Sequence, residues 1–515
     1  MANGKYLRQK AKQGNPLVVY LRNAFLGQKL NNWMGFLVVA AIAVGFAYIT
    51  TQGVFFGIGL IGVIAGLAII ITCLVNPELG LYINLVYAFF AYFFSRWIFQ
   101  DEFPVGVAWD IIILATFLGL FVNVPDLKKN TGKFFGSRPI LFFFIIFLYL
   151  VLQIANPEGT SVEGWFQIIR KILAAFLMLF IAFNVLDTLP KIWRFLKILF
   201  VCATIAALYG CFQQFHGLLE FEEWWVRSHE IRFRLTYVHG YFRKFSIMSD
   251  PTGFGIVIAG CGLFFLILGL GARKTLHKII YLSSSVLMIL GMSFSGTRTA
   301  YLMLVGGMGL FVLLTINKRS TKFFAFCAVM TFLFLMYVPI YDNPTLIRFR
   351  TSFSGTKDES YKVREVNRAA IRPYLLSHPI GGGLSTTGSL GEKYNPGHRL
   401  AGFPPDSGYL NKALETGWIG LALTCILYFL TLQYSIRGYF RARSKQVKTL
   451  FAAISAFFFS FIIGEIAQEA VGQFTNMAIF YPLTAIMVRL RELSEKRHRV
   501  TIDEHRSHKE MAPAL

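Results

Sequence analysis

The chain has 515 residues, 55% of them hydrophobic and 16% aromatic, and 50 Lys and Arg against 27 Asp and Glu give a net charge of +23. Soluble domains are more polar than this, and the apolar residues fall in runs long enough to cross a bilayer, which excludes a soluble enzyme and predicts an all-α membrane protein. In a soluble protein such a charge would suggest nucleic acid; here it follows from basic cytoplasmic connections facing anionic lipid, so membrane lipid is an expected partner and nucleic acid is not.

Taken in chain order, residues 1–32 read as a polar, basic cytoplasmic tail with no short apolar core or cleavage site. About fourteen transmembrane helices follow. Their windows are 33–50, 54–75, 80–99, 104–123, 139–155, 164–187, 196–215, 253–271, 278–294, 299–316, 322–340, 412–434, 449–467 and 474–490. Every second connection is basic, as in Lys128/Lys129/Lys133/Arg138 and Arg437/Arg441/Arg443/Lys445/Lys448, while the intervening short ones are neutral or acidic. That alternation places both termini, including a tail at 491–515, on the cytoplasmic side. The region 33–490 reads as one transmembrane domain with long outer loops at 216–252 and 341–407. The six cysteines lie in apolar runs, which argues against a disulfide framework or a metal site. Arg96 and Asp110 flank a short outer hairpin and are expected to form an ion pair.

Both long outer connections are rich in arginine, a residue suited to bidentate phosphate recognition. The second should contain an amphipathic helix over Tyr361–Leu376, with Arg364, Arg368 and Arg372 at i, i+4 and i+8 on one face, lining a path for an anionic substrate. It runs on into a Gly/Pro-rich polar stretch from His378 to Gly420. Pro379 stops the preceding helix there, and three glycines allow tight turns.

Three stretches converge on the outer face. Arg243 opens RKFSIMSDPTGFG, Arg298 sits in the hairpin SFSGTRTAYL, and Asp406 lies in HPIGGGL…DSGYLNKALETGWIG. Together they resemble the O-antigen ligase and O-antigen polymerase superfamily, over roughly residues 200–490. The resemblance implies a GT-C-like membrane enzyme of the bacterial inner membrane. Such an enzyme moves a glycan from an undecaprenyl-pyrophosphate donor to a sugar hydroxyl, on a glycan or lipid A-core acceptor, with neither metal nor cofactor. Arg243 and Arg298 fall where the family carries pyrophosphate-gripping arginines. The family's ligases place a His eleven residues before the Gly of the E-x-G; counting back from Gly417 gives Asp406, a departure that leans towards a polymerase or an unusual ligase.

The chemistry supports the same residues. Cationic donors stabilise charge on a departing pyrophosphate, and a base takes the proton of the attacking hydroxyl. Asp406 is the candidate base; as Asp it also suits the N-cap of the helix beginning near Gly408. Arg298 suits an interfacial anchor as well. His398, Tyr409 and Glu415 are expected to line the substrate, Glu415 mainly as a polar contact, and Glu465 and Glu469 to meet loop arginines or pack at an interface. The alternative reading is a lipid-linked glycan flippase or exporter; it fits less well because the unusual charges cluster at the outer boundary rather than at mid-membrane.

Overall fold

The computed structural model describes residues 33–51, 54–124, 127–238, 240–353 and 359–510. The expected tail at 1–32 lies outside them. All fourteen apolar windows fall on helices, and eleven of these are long and apolar enough to cross a membrane among the described residues. The chain divides into two compact units, Met1–Asn84 with Gly106–Asn130, and Leu85–Val105 with Thr131–Leu515.

The first unit holds α1 (Trp33–Thr51), α2 (Val54–Val75), the start of α3 (Pro77–Phe99) and nearly all of α4 (Val105–Asn123). A polar seam closes it: Asn84 donates to the Thr116 hydroxyl at 3.0 Å, and Asn123 donates to the Leu74 carbonyl at 2.9 Å. Such bonds hold helices together where lipid gives no hydrophobic drive to associate.

The second unit carries the remaining elements. After α5 (Leu127–Phe135), which enters this unit at Thr131, come α6 (Arg138–Leu152), α7 (Val162–Val185) and α8 (Leu189–His216). Next are α11 (Pro251–Gly271), α12 (Thr275–Phe294), α13 (Arg298–Thr315) and α14 (Arg319–Tyr337), then α18 (Gly408–Arg441), α19 (Lys445–Ala467) and α20 (Phe474–Glu510). The centre is α11, buried almost from end to end. It is apolar all round, as a helix enclosed on every side must be, and α8, α12, α13 and α19 surround it. Its start is fixed by sequence: the Asp250 side chain accepts from the N–H groups of Thr252 and Gly253, both at 2.9 Å, and Pro251 occupies the first turn.

Both long connections lie at one end of this unit and are folded. The first contains α9 (Glu220–Arg227), α10 (Glu230–Thr236) and a hairpin of β1 (Tyr237–Val238) and β2 (Tyr241–Phe242), paired antiparallel. Arg96, expected to pair with Asp110, is taken up otherwise. It is buried against the rings of Trp225 and Phe245, each 4.9 Å away, and donates to the carbonyls of Met248 (2.5 Å) and Ser246 (3.2 Å). A buried guanidinium takes backbone acceptors when they converge on it, since an unmatched carbonyl would cost as much as the lost bond.

The second connection contains α15 (Pro344–Thr351), α16 (Glu359–Ser377) and α17 (Gly388–Tyr394). The expected amphipathic helix is α16. Its Ile371 and Tyr374 pack with Leu400 and Leu414 in a small core beneath the loop, and it ends two residues before Pro379. Glu465 and Glu469 meet lysines rather than loop arginines: Glu465 pairs with Lys412 at 3.2 Å, and Glu469 with Lys171 at 3.5 Å.

Candidate functional site

Two clusters occupy the loop-bearing end of the second unit. The first is cationic and rests on the tight turn between α12 and α13. Arg243, held in register by its backbone N–H on the Thr236 carbonyl (2.8 Å), extends over that turn. Its Nε donates to the Ser295 carbonyl at 2.9 Å, one terminal nitrogen to Leu235 at 3.0 Å, and the other to the hydroxyl of Thr297 at 3.2 Å. Thr297 is the N-cap of α13, and Arg298 is its first helical residue. The turn thus binds one expected arginine and launches the other.

Arg348 on α15 completes the cluster. Burial, with Arg348 and Arg298 adding like charge against the pull of Asp250, pushes the Arg243 guanidinium down to about 10. The α15 helix is set by Asn343, whose side chain accepts from the N–H groups of Thr345 and Leu346. Phe349 of α15 packs edge-on against Tyr301 of α13 at 5.3 Å, which places α15 over the start of α13. Arg348 is one of several cations in this loop, and the sequence signal that marks it is its position one turn into a Pro-initiated, Asn-capped helix.

The other basic residues of the first loop face elsewhere. Lys244 is buried, with burial lowering its pKa and Glu222 opposing that shift. Arg234 is exposed and paired with Glu230 at 2.5 Å. Lys244 is fixed at the end of α12 by its backbone N–H on the Phe294 carbonyl at 3.1 Å, but neither side chain shares the anchorage of the Arg243 guanidinium on the α12–α13 turn.

Asp406 is half-buried and sits one residue ahead of Ser407, which occupies the N-cap position of α18 without a side-chain capping bond, so the expected cap at Asp406 is displaced by one residue. The Ser407 hydroxyl donates to the Glu465 carbonyl at 3.0 Å, and the Tyr409 hydroxyl to the Ile462 carbonyl at 3.1 Å. Both contacts tie the Asp406 segment to the end of α19. The same stretch of α19 meets α13, where Gly464 packs against Met303, five residues after Arg298 and about 7.5 Å along the helix. Tyr409, expected to line the substrate, thereby serves as a tether.

Glu415 lies at the second cluster, which the glycines build. The N–H groups of Gly382 and Gly383 donate to the carbonyls of Leu414 and Glu415, at 2.8 and 3.0 Å. At this level α18 breaks: Gly417 has φ +66°, and any side chain there would strike the Pro379 carbonyl. Main chain lies directly on main chain, a fit that only glycine permits. Glu415 is buried and accepts from the Thr387 hydroxyl at 2.8 Å, so its role as a polar contact of the helix face is the one the packing displays.

Beside the glycines, His378 stacks on Tyr374 at 3.9 Å, and His398 meets the same ring edge-on at 6.4 Å. Both imidazoles approach one carboxylate, Glu158, which lies 4.0 Å from His378 Nε2 and 3.9 Å from His398 Nε2. Burial lowers the His398 pKa, Glu158 raises it, and His378 lowers it further. Arg368 and Arg372 are exposed on α16. Arg364 lies on the same helix, its side chain outside the described residues.

The arrangement therefore gathers Arg243 and Arg298, adds Arg348, and places Asp406 on a segment bound to the helix that packs on α13. His398 and Glu415 fall in a separate packed cluster with the glycines. Residues 283–425 match the model of the family described as O-antigen ligase. The match takes in Arg298, Arg348, α16 and the whole loop to Gly417, and leaves Arg243 outside it. None of the curated proteins compared matches the chain.

Proposed function

We propose, for a chain that carries the O-antigen ligase domain and so stands in the O-antigen ligase and polymerase superfamily, that it transfers a glycan from an undecaprenyl-pyrophosphate donor to a sugar hydroxyl at the outer face of the bacterial inner membrane. The observation that carries this reading is the convergence of Arg243, Arg298 and Arg348 around one turn. Burial, and after it the like charges of Arg348 and Arg298, depress the Arg243 pKa, so a bound anion would offset the cost of holding these cations together.

In this reading the three arginines grip the donor pyrophosphate and take up the charge that builds on it as the glycosidic bond breaks. The polyprenyl tail lies between helices. Asp406 accepts the proton of the attacking hydroxyl while that oxygen bonds to the sugar carbon, and the lipid pyrophosphate leaves with the bonding pair. The exposed stripe of α16, carrying Arg368 and Arg372, faces the acidic or phosphorylated glycan. Within the proposed catalytic region 33–490 these residues all belong to the second unit, and both termini are cytoplasmic.

The test is a gel profile of surface and lipid-linked glycans from a deletion strain, complemented with wild type or Asp406→Asn. Single repeat units in place of a ladder identify a polymerase. Long chains stranded on the carrier beside bare acceptor identify a ligase. Glycan retained on the cytoplasmic side would overturn the reading in favour of a transporter.

A further inference from the structure

At the end of the second unit opposite the long connections, a cavity of about 480 Å³ opens between the α5–α6 turn, the last turns of α18 and the middle of α20. It is within the range of small-molecule sites. Its rim carries five cations, Lys133, Arg138, Arg437, Arg441 and Arg491, against two carboxylates, Glu492 and Glu495. Both carboxylates are already engaged: Glu492 with Arg489 at 2.8 Å, and Glu495 with Arg491 at 3.1 Å. That leaves Lys133, Arg138, Arg437 and Arg441 with no carboxylate partner among the described residues.

Other features point to the same ligand chemistry. The first turn of α6 opens at the cavity through Ser137 and Arg138; Pro139 there carries no N–H, so the backbone donors left without a partner in the helix are those of Arg138 and Ile140. Tyr434 supplies a hydroxyl and an aromatic face, over which Arg491 lies at 4.7 Å. The cavity floor is apolar, with Leu430 and Val488. From Arg441 to Leu430 the lining follows α18 for eleven residues, about 16 Å along its axis. A free phosphate does not need such depth. A phosphodiester headgroup with its glycerol and the first acyl carbons does.

We propose that this cavity binds the headgroup of an anionic phospholipid, a phosphodiester held by Arg138, Arg437 and Arg441, with the acyl chains running along the lipid-facing side of α18. The helices that form it supply the reason for a lipid source. Both α6 and α18 have the length and composition of membrane spans. Leu141, one turn from Arg138, and Phe440, beside Arg441, are exposed apolar residues at the same level. Basic pockets between membrane helices take up anionic headgroups by this combination of fixed charge and adjacent hydrocarbon.

The experiment uses the full chain in detergent. Its thermal midpoint is measured after adding phosphatidylglycerol, phosphatidylcholine or soluble glycerol 3-phosphate, and retained lipid is counted by native mass spectrometry. The expected result is stabilisation by phosphatidylglycerol alone, with one lipid retained. The Arg138→Gln/Arg437→Gln/Arg441→Gln variant should lose the preference, by about fivefold in apparent affinity for each cation removed. Its midpoint in phosphatidylcholine reports that it is folded. Should the triple variant not fold, Arg437→Gln alone, at an exposed position, carries the test. An undiminished preference in the variant would overturn the site. Equal stabilisation by glycerol 3-phosphate would overturn the lipid as its occupant.

Discussion

The Nε of Arg243 donates to the main-chain carbonyl of Ser295 at 2.9 Å, so a guanidinium from one connection is anchored on the turn that launches the helix carrying Arg298. The bond fixes the spacing of two cations that repel one another. It also makes the planar fork of arginine a geometric requirement: a lysine would reach the turn with one nitrogen and leave Leu235 and Thr297 without their donors. Arg243→Lys is therefore expected to lower transfer by about tenfold or more with normal membrane levels. Arg298→Ala should abolish product without loss of expression, and a near-normal glycan ladder from that variant would remove Arg298 from the site.

Asp406 and Glu415 are nine residues apart on one segment yet have different surroundings. Asp406 is half-buried ahead of the cap, whereas Glu415 is enclosed and bonded to Thr387. The isosteric Asp406→Asn removes a proton acceptor and should cost about a hundredfold or more in transfer rate. Glu415→Gln keeps the bond to Thr387 and should act mainly on yield. Assay of both proteins with lipid-linked donor decides the matter, and the opposite order of damage would assign the base to Glu415.

The imidazole cluster gives the loop a pH dependence. His398 has its folded pKa lowered, mainly by burial, and the groups facing it are Glu158, His378 and the ring of Tyr374, over which Arg399 lies. In the unfolded chain the ring titrates near about 6.5. A depressed folded value means that its contribution to stability is complete above that unfolded value and is lost as pH falls through the lowered one. The thermal midpoint should thus drop as pH falls below about 6.5, and drop less in His398→Gln. Parallel curves for the two proteins would show that the loop does not sense this group.

Gly417→Ala forces a side chain into φ +66° and onto the Pro379 carbonyl. Strain of this kind costs about 1–3 kcal/mol before any clash. The expected outcome is a lowered thermal midpoint and loss of transfer together, because Gly382 and Gly383 take their acceptors from the same turn. Gly397→Ala, where the space is open, serves as the control and should leave both unchanged.

Apolar runs of 17 or more residues made the spans readable at once, since a helix is the economical way to satisfy backbone groups in hydrocarbon. The stop before Pro379 and the need for glycine at the loop were legible for the same local reason. What escaped was long-range. Arg96 meets carbonyls 150 and 152 residues away, and Glu158 faces histidines on another connection, contacts that carry no periodic or spacing signal. Arg348 was visible as a charge but not as a partner, because only packing of Phe349 on Tyr301 brings its helix over Arg298. The cap of α18 went to Ser407 rather than Asp406 by a single position, the scale at which helix ends are least predictable.

The contact of Gly381–Gly383 with the break at Gly417 has an evolutionary consequence. At the glycines the loop meets the span through peptide groups with no room for a side chain, while the Thr387–Glu415 bond, the Trp418 indole on the Leu375 carbonyl and the packing of Leu414 hold it on either side. Exposed residues of the loop such as Lys393 and Arg399 can be exchanged without moving the frame that holds Asp406, whereas Thr386 and Asn395 are buried and bonded to the Gly383 and Ser385 carbonyls and belong to that frame. The chain thus separates the residues it can vary from those that hold its shape, and a changed loop surface lies a few substitutions away rather than a refolding away.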